Sequence, residues 1–208
     1  MIIEKKSIEP FFLENIDKFN DYKRLILKDN EICGLTTIKE EEFNEKHFYD
    51  SLTLLPLLEK YKNQNLLIAD VGAGAGFPSI PILIVNQGLN IDLIESNHLK
   101  SEFLKKVINH FYFQNSKVIC SNVREIKKKY DIVIFRAFSP LQNFIKVAKP
   151  ILKEGTIVFA LKGRLSEIEK EIFIVKKQNL WKYINALEIH QVIGFQWERN
   201  IVELIWGK

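Results

Sequence analysis

The sequence predicts an α/β fold in which a mostly parallel sheet is covered by helices on both faces. Three observations support this prediction. Short segments rich in Ile, Val and Leu recur between residues 66 and 206, as expected for buried parallel strands. Amphipathic helical segments separate the first five of these strands. A glycine-rich turn follows the first strand directly, which is typical of a ligand crevice at the carboxyl ends of parallel strands.

The predicted elements follow one another along the chain. Seven strands are predicted, at residues 66–70, 91–95, 117–120, 131–135, 156–161, 187–193 and 199–206. Helices are predicted at 78–87, 97–112, 140–151 and 165–178, with a short one near 123–129. A turn around Gly194 joins the last two strands and predicts an antiparallel hairpin. Residues 1–60 show helical spacing without strand alternation, so we expect an N-terminal helical extension packed on a Rossmann-like domain at 61–208.

The turn after the first strand reads Asp70-Val71-Gly72-Ala73-Gly74-Ala75-Gly76-Phe77-Pro78. Glycine is needed where the backbone takes a positive φ or where a ligand lies against it. Glu95 ends the next strand, and a carboxylate at that place can accept both hydroxyls of a ribose. These features favour a nucleoside ligand. A nicotinamide dinucleotide site, whose third glycine stands one position later, and a glycine turn that binds nothing remain alternatives.

The composition excludes several classes of protein. The chain is 47% hydrophobic, yet no apolar run approaches the roughly 20 residues that cross a bilayer. The first residues lack the order of a secretory signal. The only cysteines are Cys33 and Cys120, without metal-ligand spacing around either. We therefore expect no disulfide, no metal site, a buried Cys120 and a cytoplasmic location.

Positive charge is concentrated in one part of the chain. The net charge is only +4, but residues 97–130 hold eight lysines and arginines against two glutamates. This asymmetry favours contact between one face and a polyanion. A solvated, lysine-rich surface is an equally good explanation. Lys127, Lys128 and Lys129 form the densest run and are candidate contacts to phosphate groups.

Several blocks of the sequence resemble a known family. Asp70 followed by G-x-G-x-G resembles motif I of the class I S-adenosylmethionine-dependent methyltransferases. The trailing Phe77-Pro78-Ser79-Ile80-Pro81 is closer to one group of them, the bacterial 16S ribosomal RNA guanine-N7 methyltransferases, or glucose-inhibited division protein B family. Further blocks resemble this family: Gly34-Leu35-Thr36-Thr37-Ile38, His47-Phe48-Tyr49-Asp50-Ser51-Leu52, Arg136-Ala137-Phe138 and Ala160-Leu161-Lys162-Gly163.

Two positions depart from the family pattern. Gly34 stands where the family usually has Asn, which weakens any role for a side-chain amide there. Arg124 stands where an acidic residue is common. If that position contacts adenine through its backbone N–H, the side chain matters little, whereas a contact through a carboxylate would be lost.

The resemblance implies methyl transfer from S-adenosylmethionine to N7 of a guanine in 16S ribosomal RNA or the small ribosomal subunit, by a seven-stranded class I methyltransferase fold acting as a monomer. It implies a cofactor site formed by Asp70, Gly72, Gly74, Gly76, Phe77, Glu95, Val123, Arg124 and Arg136. Arg136 ends the fourth predicted strand, close to the reacting centre, and is the candidate catalytic residue. It would grip RNA or the cofactor carboxylate, and a purely structural salt bridge is the alternative.

The substrate side is less determined. His47 is a candidate substrate residue, but packing of the N-terminal region explains it equally well. Lys162 is a candidate phosphate contact or a solvated lysine. Three classes of function stay open: the ribosomal RNA methyltransferase, a class I methyltransferase acting on another RNA or a small molecule, and a silent RNA-binding module. The last would be expected to lose Asp70 or the glycines, which are all present.

Overall fold

An eight-stranded sheet organises the protein. The computed structural model describes residues 1–61 and 65–207. The strands are β1 Ile2–Glu4, β2 Leu67–Val71, β3 Asn90–Glu95, β4 Lys117–Cys120, β5 Ile132–Arg136, β6 Ile157–Lys162, β7 Ile184–Ile193 and β8 Arg199–Trp206. Their spatial order is β1-β7-β8-β6-β5-β2-β3-β4. Only β8 is antiparallel to its neighbours β6 and β7, and the other pairs are parallel.

Helices cover both faces of this sheet. They are α1 Lys5–Glu14, α2 Ile16–Cys33, α3 Asp50–Leu52, α4 Leu55–Leu58, α5 Ser79–Val85, α6 His98–Phe111, α7 Leu141–Ala148 and α8 Leu165–Lys177. A π-helix spans Asn44–Tyr49, and single 3₁₀ turns lie at Glu40–Glu42, Glu59–Tyr61, Val123–Glu125, Lys149–Ile151 and Trp181–Tyr183. None of the helices in the described ranges combines the length and the apolarity needed to cross a membrane.

Each face of the sheet has its own buried cluster. On one side Phe19 and Ile26 of α2 pack in the same cluster as Leu83 of α5 and Leu104 of α6. On the other side Phe144 of α7 belongs to a second cluster with strand and α8 residues. The central strands β2, β3 and β5 are buried on both faces, which explains their nearly continuous apolar sequences. The α/β fold class is therefore confirmed.

The sheet contains one strand more than the seven predicted. Residues Ile2–Glu4 pair in parallel with Gln191–Ile193 at the end of β7. Three residues are too few to show strand periodicity, so the sequence of the N-terminal region indicated only helices. Pairing with a distant strand, and not local preference, determines the conformation here. The division of the chain at residue 60 stays a prediction, although α2 packs against α5 and α6 of the following region.

Two local expectations were wrong. The helix near 123–129 is only the 3₁₀ turn Val123–Glu125, followed by residues without regular structure. Cys120 is exposed, not buried, because β4 is the edge strand of the sheet and lacks a neighbour on one side. The strand boundaries otherwise agree to within one residue, except that β7 begins three residues earlier, at Ile184.

Strand order reverses at β2. The chain passes from β2 to β3 and β4 on one side, and then crosses to β5 and β6 on the other side. Such a reversal leaves a crevice outside the carboxyl ends of the two strands that flank it. The loop after β2 and the residues that end β3 and β5 therefore meet at one place.

Candidate active site

The glycine loop, residues 72–78, lies at this reversal point and is held from two sides. The backbone N–H groups of Gly72 and Ala73 donate hydrogen bonds of 2.8 and 3.2 Å to the carbonyl oxygen of Ile94 in β3. The buried phenol of Tyr22 in α2 donates to the carbonyl oxygen of Ala75. The N-terminal helices and the sheet thus fix the loop together.

The three glycines of the loop serve different purposes. All have positive φ, at 72°, 58° and 100° for Gly72, Gly74 and Gly76. A Cβ at Gly72 would lie 2.4 Å from the ring of Phe138, and one at Gly76 would lie 2.4 Å from the side chain of Ile80. A Cβ at Gly74 would meet nothing closer than 3.8 Å. Gly74 therefore borders open space, whereas Gly72 and Gly76 leave room for the protein's own side chains.

That open space is a cavity of about 300 Å³, which we name the glycine-loop cavity. It is lined by Val71, Gly72, Gly74, Ile94, Glu95, Ser96, Lys100, Ser121, Asn122, Val123, Arg136, Ala137 and Phe138. Most of these residues end strands or directly follow them. The sheet topology therefore gathers residues from β2, β3, β4 and β5 around one space.

Glu95 is buried at the carboxyl end of β3 and lines this cavity. Its Oε2 accepts a hydrogen bond of 2.9 Å from the N–H of Gly74, and its Oε1 accepts one of 2.8 Å from the N–H of Asn97. A carboxylate has about four acceptor sites, so capacity remains for further donors. Glu95 thus orients the glycine loop and also has acceptor capacity beside the cavity.

Asp70 is fully buried in β2, directly before the loop. Neither of its carboxylate oxygens has a hydrogen-bond partner within the described residues. Burial raises the pKa of Asp70 to about 7, although the nearby Ser79 hydroxyl and N–H and the charge of Arg136 lower it. Asp70 thus lies beside Ser79 without an aligned hydrogen bond, and it stands next to the glycine-loop cavity without lining it.

A second cavity, of about 540 Å³, lies on the other side of Arg136 and Ala137. We name it the π-helix cavity, and it is lined by Gly34, Leu35, Thr36, Thr37, Ile38, Lys46, His47, Asp50, Arg136, Ala137, Leu161, Lys162, Gly163 and Arg199. Arg136 and Ala137 line both cavities and form the wall between them. Ala137 has a φ of +51°, a conformation that costs a non-glycine residue energy and is often found at functional sites.

The π-helix supplies a cradle for the guanidinium group of Arg136. Nη1 donates 3.0 Å hydrogen bonds to the carbonyl oxygen of Lys46 and to Oδ2 of Asp50, and Nη2 donates one of 3.0 Å to Nδ1 of His47. The guanidinium carbon lies 4.8 Å from the centre of the Phe77 ring. Three of its five N–H donors are used in this way, so two remain at the wall between the cavities.

His47 is buried and acts here as an acceptor. Because arginine can only donate, Nδ1 of His47 must be unprotonated, and the remaining proton lies on Nε2, 2.7 Å from Oγ1 of Thr36. Burial, followed by the charge of Arg136, lowers the pKa of His47 to about 3. Its ring stacks on Phe77 with 4.2 Å between centroids. The neutral imidazole therefore holds Arg136 and is not itself placed to exchange a proton.

Comparison with known proteins assigns the chain to a family. Residues 15–202 match the family model described as rRNA small subunit methyltransferase G. The chain belongs to this family. One relative, the "Ribosomal RNA small subunit methyltransferase G" of Brachyspira hyodysenteriae, is 33% identical over 89% of this chain and 88% of its own length.

Solved structures show the same fold at lower sequence identity. A putative RNA methyltransferase from Pyrococcus horikoshii has a TM-score of 0.56 and 17% identity, and the match covers 77% of this chain and 84% of that one. M. jannaschii TYW2, solved in complex with AdoMet, has a TM-score of 0.52 and 17% identity, with 73% and 75% covered. The Rossmann-like methyltransferase architecture is thus confirmed.

Both departures from the family pattern have a place in the structure. Gly34 ends α2 with a φ of 58°, and its N–H donates to the carbonyl oxygen of Asn30 at 2.8 Å. Gly and Asn are the two residues that commonly end helices in this left-handed conformation, which accounts for either one at this position in the family. Arg124 is exposed, and its N–H donates to Oδ1 of Asn122 at 3.0 Å. Val123, in contrast, lines the glycine-loop cavity.

Not all of the predicted substrate residues lie together. Lys162 lines the π-helix cavity, but its ammonium group lies 2.8 Å from Oε2 of Glu171 and 3.0 Å from the carbonyl oxygen of Ser139. Lys128 pairs with Asp92 at 2.8 Å, and Lys129 donates to the carbonyl oxygen of Leu152 at 2.8 Å. The run Lys127–Lys129 leads into the beginning of β5. It therefore lies at the amino ends of the parallel strands, whereas both cavities lie at their carboxyl ends.

Sequence reasoning missed the partners that surround Arg136. Asp50, Lys46 and Arg199 line the π-helix cavity, yet no role was assigned to any of them. The only signal was that Asp50 belongs to the block His47–Leu52 that resembles the family. Arg199 begins β8, and its proximity to Asp50 of α3 depends on tertiary packing that no local pattern shows.

Proposed function

We propose that this chain methylates N7 of a guanine in 16S ribosomal RNA with S-adenosylmethionine as the methyl donor. The observation that carries the proposal is the pair of cavities that share Arg136 and Ala137 at the reversal point of a methyltransferase fold. The glycine-loop cavity would hold the cofactor, and the π-helix cavity would admit the target nucleotide. The name of the B. hyodysenteriae relative supports ribosomal RNA of the small subunit as the substrate.

The residues of the glycine-loop cavity fit the proposed cofactor. Glu95 has acceptor capacity for ribose hydroxyls, and Gly74 leaves its side of the cavity open. Asp70 directly precedes the loop and does not line the cavity, so we assign it to holding the loop and to a charge interaction with the ammonium group of the cofactor. Val123 offers an apolar surface for adenine. The side chain of the exposed Arg124 does not line this cavity, so we assign it no contact with adenine.

The chemistry at N7 requires little acid–base catalysis. When bound, S-adenosylmethionine supplies an electrophilic methyl group, which N7 takes with its lone pair while sulfur keeps the electrons of the broken S–C bond. N7 is an unprotonated acceptor on the major-groove edge of guanine, so no proton has to be removed first. Accordingly, His47 has both ring nitrogens engaged and Arg136 is already protonated. The protein contributes alignment of the two partners.

Cations around the π-helix cavity suit an RNA substrate. Lys46 and Arg199 line it beside Arg136 and Lys162. Arginine can bind a phosphate group or the O6 acceptor of guanine, which leaves the lone pair of N7 free for the methyl group. Arg136 has two further donors in addition to its three hydrogen bonds within the protein and lines both cavities, so it remains the residue to which we assign the reacting centre.

The proposal also includes a cellular location, an oligomeric state and a metal requirement. We place the enzyme in the cytoplasm, where ribosomal RNA is found, and we expect a monomer. The reaction as written requires no metal ion. Within the described ranges, one cluster of potential metal ligands occurs, Glu188, His190 and Glu203 on β7 and β8, and it borders neither cavity.

The decisive experiment maps N7-methylguanine in ribosomal RNA from cells with and without this gene. Loss of one modified position in the deletion strain, and its return on complementation, is the expected result. Calorimetric titration of the purified protein with adenosylhomocysteine and with NADH separates a methyltransferase from a dehydrogenase. If the N7-methylguanine positions of ribosomal RNA are unchanged in the deletion strain, 16S ribosomal RNA is refuted as the substrate. Another RNA or a small molecule would then be the substrate of methylation.

A further inference from the structure

Asp50 bridges two arginines at the π-helix cavity. It begins the short helix α3, directly after the π-helix, and only 4% of its surface is exposed. Its Oδ2 lies 3.0 Å from Nη1 of Arg136, and its Oδ1 lies 2.8 Å from Nε of Arg199. The two arginines lie at the same end of the sheet, since Arg136 ends β5 and Arg199 begins the antiparallel strand β8.

The two contacts of Asp50 are not equivalent. The contact with Arg136 is an aligned hydrogen bond and is supported by Lys46 and His47. The contact with Arg199 is close but lacks hydrogen-bond alignment, and Arg199 is the more exposed of the two side chains. Asp50 therefore fixes Arg136 and only restrains Arg199, which keeps donors available to the cavity.

The charge of Asp50 matters for the proposed reaction as well. Methyl transfer to N7 moves one positive charge from the methyl donor to the purine ring. Two guanidinium groups beside that purine oppose the new charge, and a carboxylate between them offsets part of this repulsion. Because the residue is buried, water screens these interactions poorly.

We propose that Asp50 is the positioning residue of this site, acting through Arg136. The inference rests on the proposed function, because it assigns Arg136 to the reacting centre. Asp50 holds the guanidinium group at the wall between the two cavities and over the ring of Phe77, with its two unused donors available to the target guanine. It also lowers the net positive charge beside the purine.

Three variants separate positioning from a merely structural role. Asp50→Asn keeps the shape and removes the charge, whereas Asp50→Glu keeps the charge and adds bulk at a buried position. Asp92→Asn is the matched control, since Asp92 is 1% exposed, pairs with Lys128 at 2.8 Å and lines neither cavity. All three are compared with the wild type in thermal unfolding, adenosylhomocysteine affinity, and kcat and KM on purified small ribosomal subunits.

If Asp50 positions Arg136, the kcat values of the variants should follow the charge at position 50 and not the volume of its side chain. We expect Asp50→Asn to lower kcat about 10- to 100-fold, as for misalignment at a reacting centre. KM is expected to change less than kcat. Asp50→Glu should recover part of the lost kcat because its carboxylate can still pair with Arg136. Asp92→Asn should lower thermal stability and leave kcat near the wild-type value.

The opposite order would overturn the inference. If Asp50 only filled space, Asp50→Asn would be the milder variant, and its kcat would follow its thermal stability. Crystal structures with adenosylhomocysteine give a readout that does not depend on activity: Arg136 should stay over Phe77 in Asp50→Glu and leave it in Asp50→Asn. Arg136 unmoved in Asp50→Asn refutes positioning. A wild-type enzyme inactive on both the 16S ribosomal RNA and the small subunits of the deletion strain refutes the proposed function, and the crystal structures still decide the role of Asp50.

Discussion

The two cavities that meet at Arg136 and Ala137 are built in different ways. Backbone groups and residues at strand ends form the glycine-loop cavity, so its main features lie within a few residues of β2, β3, β4 or β5. The π-helix cavity is formed by side chains from the N-terminal region, β5, β6 and β8. One site thus depends on local backbone geometry, and the other depends on tertiary contacts between distant segments. Variants should affect the two sites separately.

The largest expected effect is on the backbone of the glycine-loop cavity. Gly74→Val should abolish measurable adenosylhomocysteine binding, because a branched side chain would fill the open space beside Gly74. The positive φ adds a strain of about 1–2 kcal/mol for a non-glycine residue. Isothermal titration calorimetry on the folded variant provides the measurement.

Gly155→Val is the matched control for this variant. Gly155 has a φ of 82°, an added Cβ there would also meet nothing within 4 Å, and the residue lines neither cavity. It therefore carries similar backbone strain without touching the ligand. Wild-type affinity in Gly74→Val, or an equal loss in Gly155→Val, would contradict the assignment of this cavity to the cofactor.

The next effect concerns the wall between the cavities. Arg136→Lys should lower methyl transfer about 100-fold, because a single ammonium group cannot reproduce the three hydrogen bonds to Lys46, His47 and Asp50 and still present donors. Single-turnover transfer of a radiolabelled methyl group to small subunits is the assay. The slope of log RNA affinity against log salt should change by less than one unit, since the charge is kept. A variant that transfers methyl groups at the wild-type rate would exclude Arg136 from the reacting centre.

A smaller effect should appear in the pH dependence of cofactor binding. The pKa of Asp70 is raised to about 7 by burial, so this carboxyl group is protonated in the free protein below that pH. A bound cation beside it favours the ionised form, and binding then releases a proton. Adenosylhomocysteine affinity should therefore rise about tenfold between pH 6 and pH 8. Asp70→Asn should flatten this profile, and a flat profile in the wild type would separate Asp70 from the ligand.

The smallest expected effect tests whether RNA extends to the amino ends of the parallel strands, away from both cavities. Replacing Lys127, Lys128 and Lys129 together by Gln should reduce the salt slope of RNA binding by about 0.7–0.9, the contribution of one phosphate contact. Lys128 and Lys129 already have partners within the protein, which leaves the exposed Lys127. Binding isotherms at several salt concentrations give the slope. An unchanged slope would exclude RNA from this part of the surface, and a loss of two or more units would mean that Lys128 and Lys129 leave their partners to bind RNA.

The difference between the cavities also explains which parts of the site could be predicted from the sequence. The glycine alternation, Asp70 and Glu95 are local signals at strand ends, so the reversal point and its nucleoside-type cavity were predictable. The separate roles of Gly72 and Gly76 were not, because they depend on Phe138 and Ile80 in the folded chain.

The remaining site residues depend on contacts that no local pattern encodes. Asp50, Arg136 and Arg199 are far apart in the sequence, and only the packing of α3 against the ends of β5 and β8 brings them together. The three-residue strand β1 was missed for the same reason. The lysine run 127–129 gave a strong charge signal, but sequence spacing could not show that Lys128 pairs with Asp92.

The π-helix has a consequence for how this protein can change over evolution. Lys46 and His47 of the π-helix Asn44–Tyr49, and Asp50 directly after it, accept hydrogen bonds from one guanidinium group. Each residue of a helix turns the chain about the helix axis, so one residue inserted or deleted between His47 and Asp50 would turn Asp50 away from Lys46 and His47. Substitutions on the exposed side of this segment should be tolerated among homologues, whereas its length should be invariant.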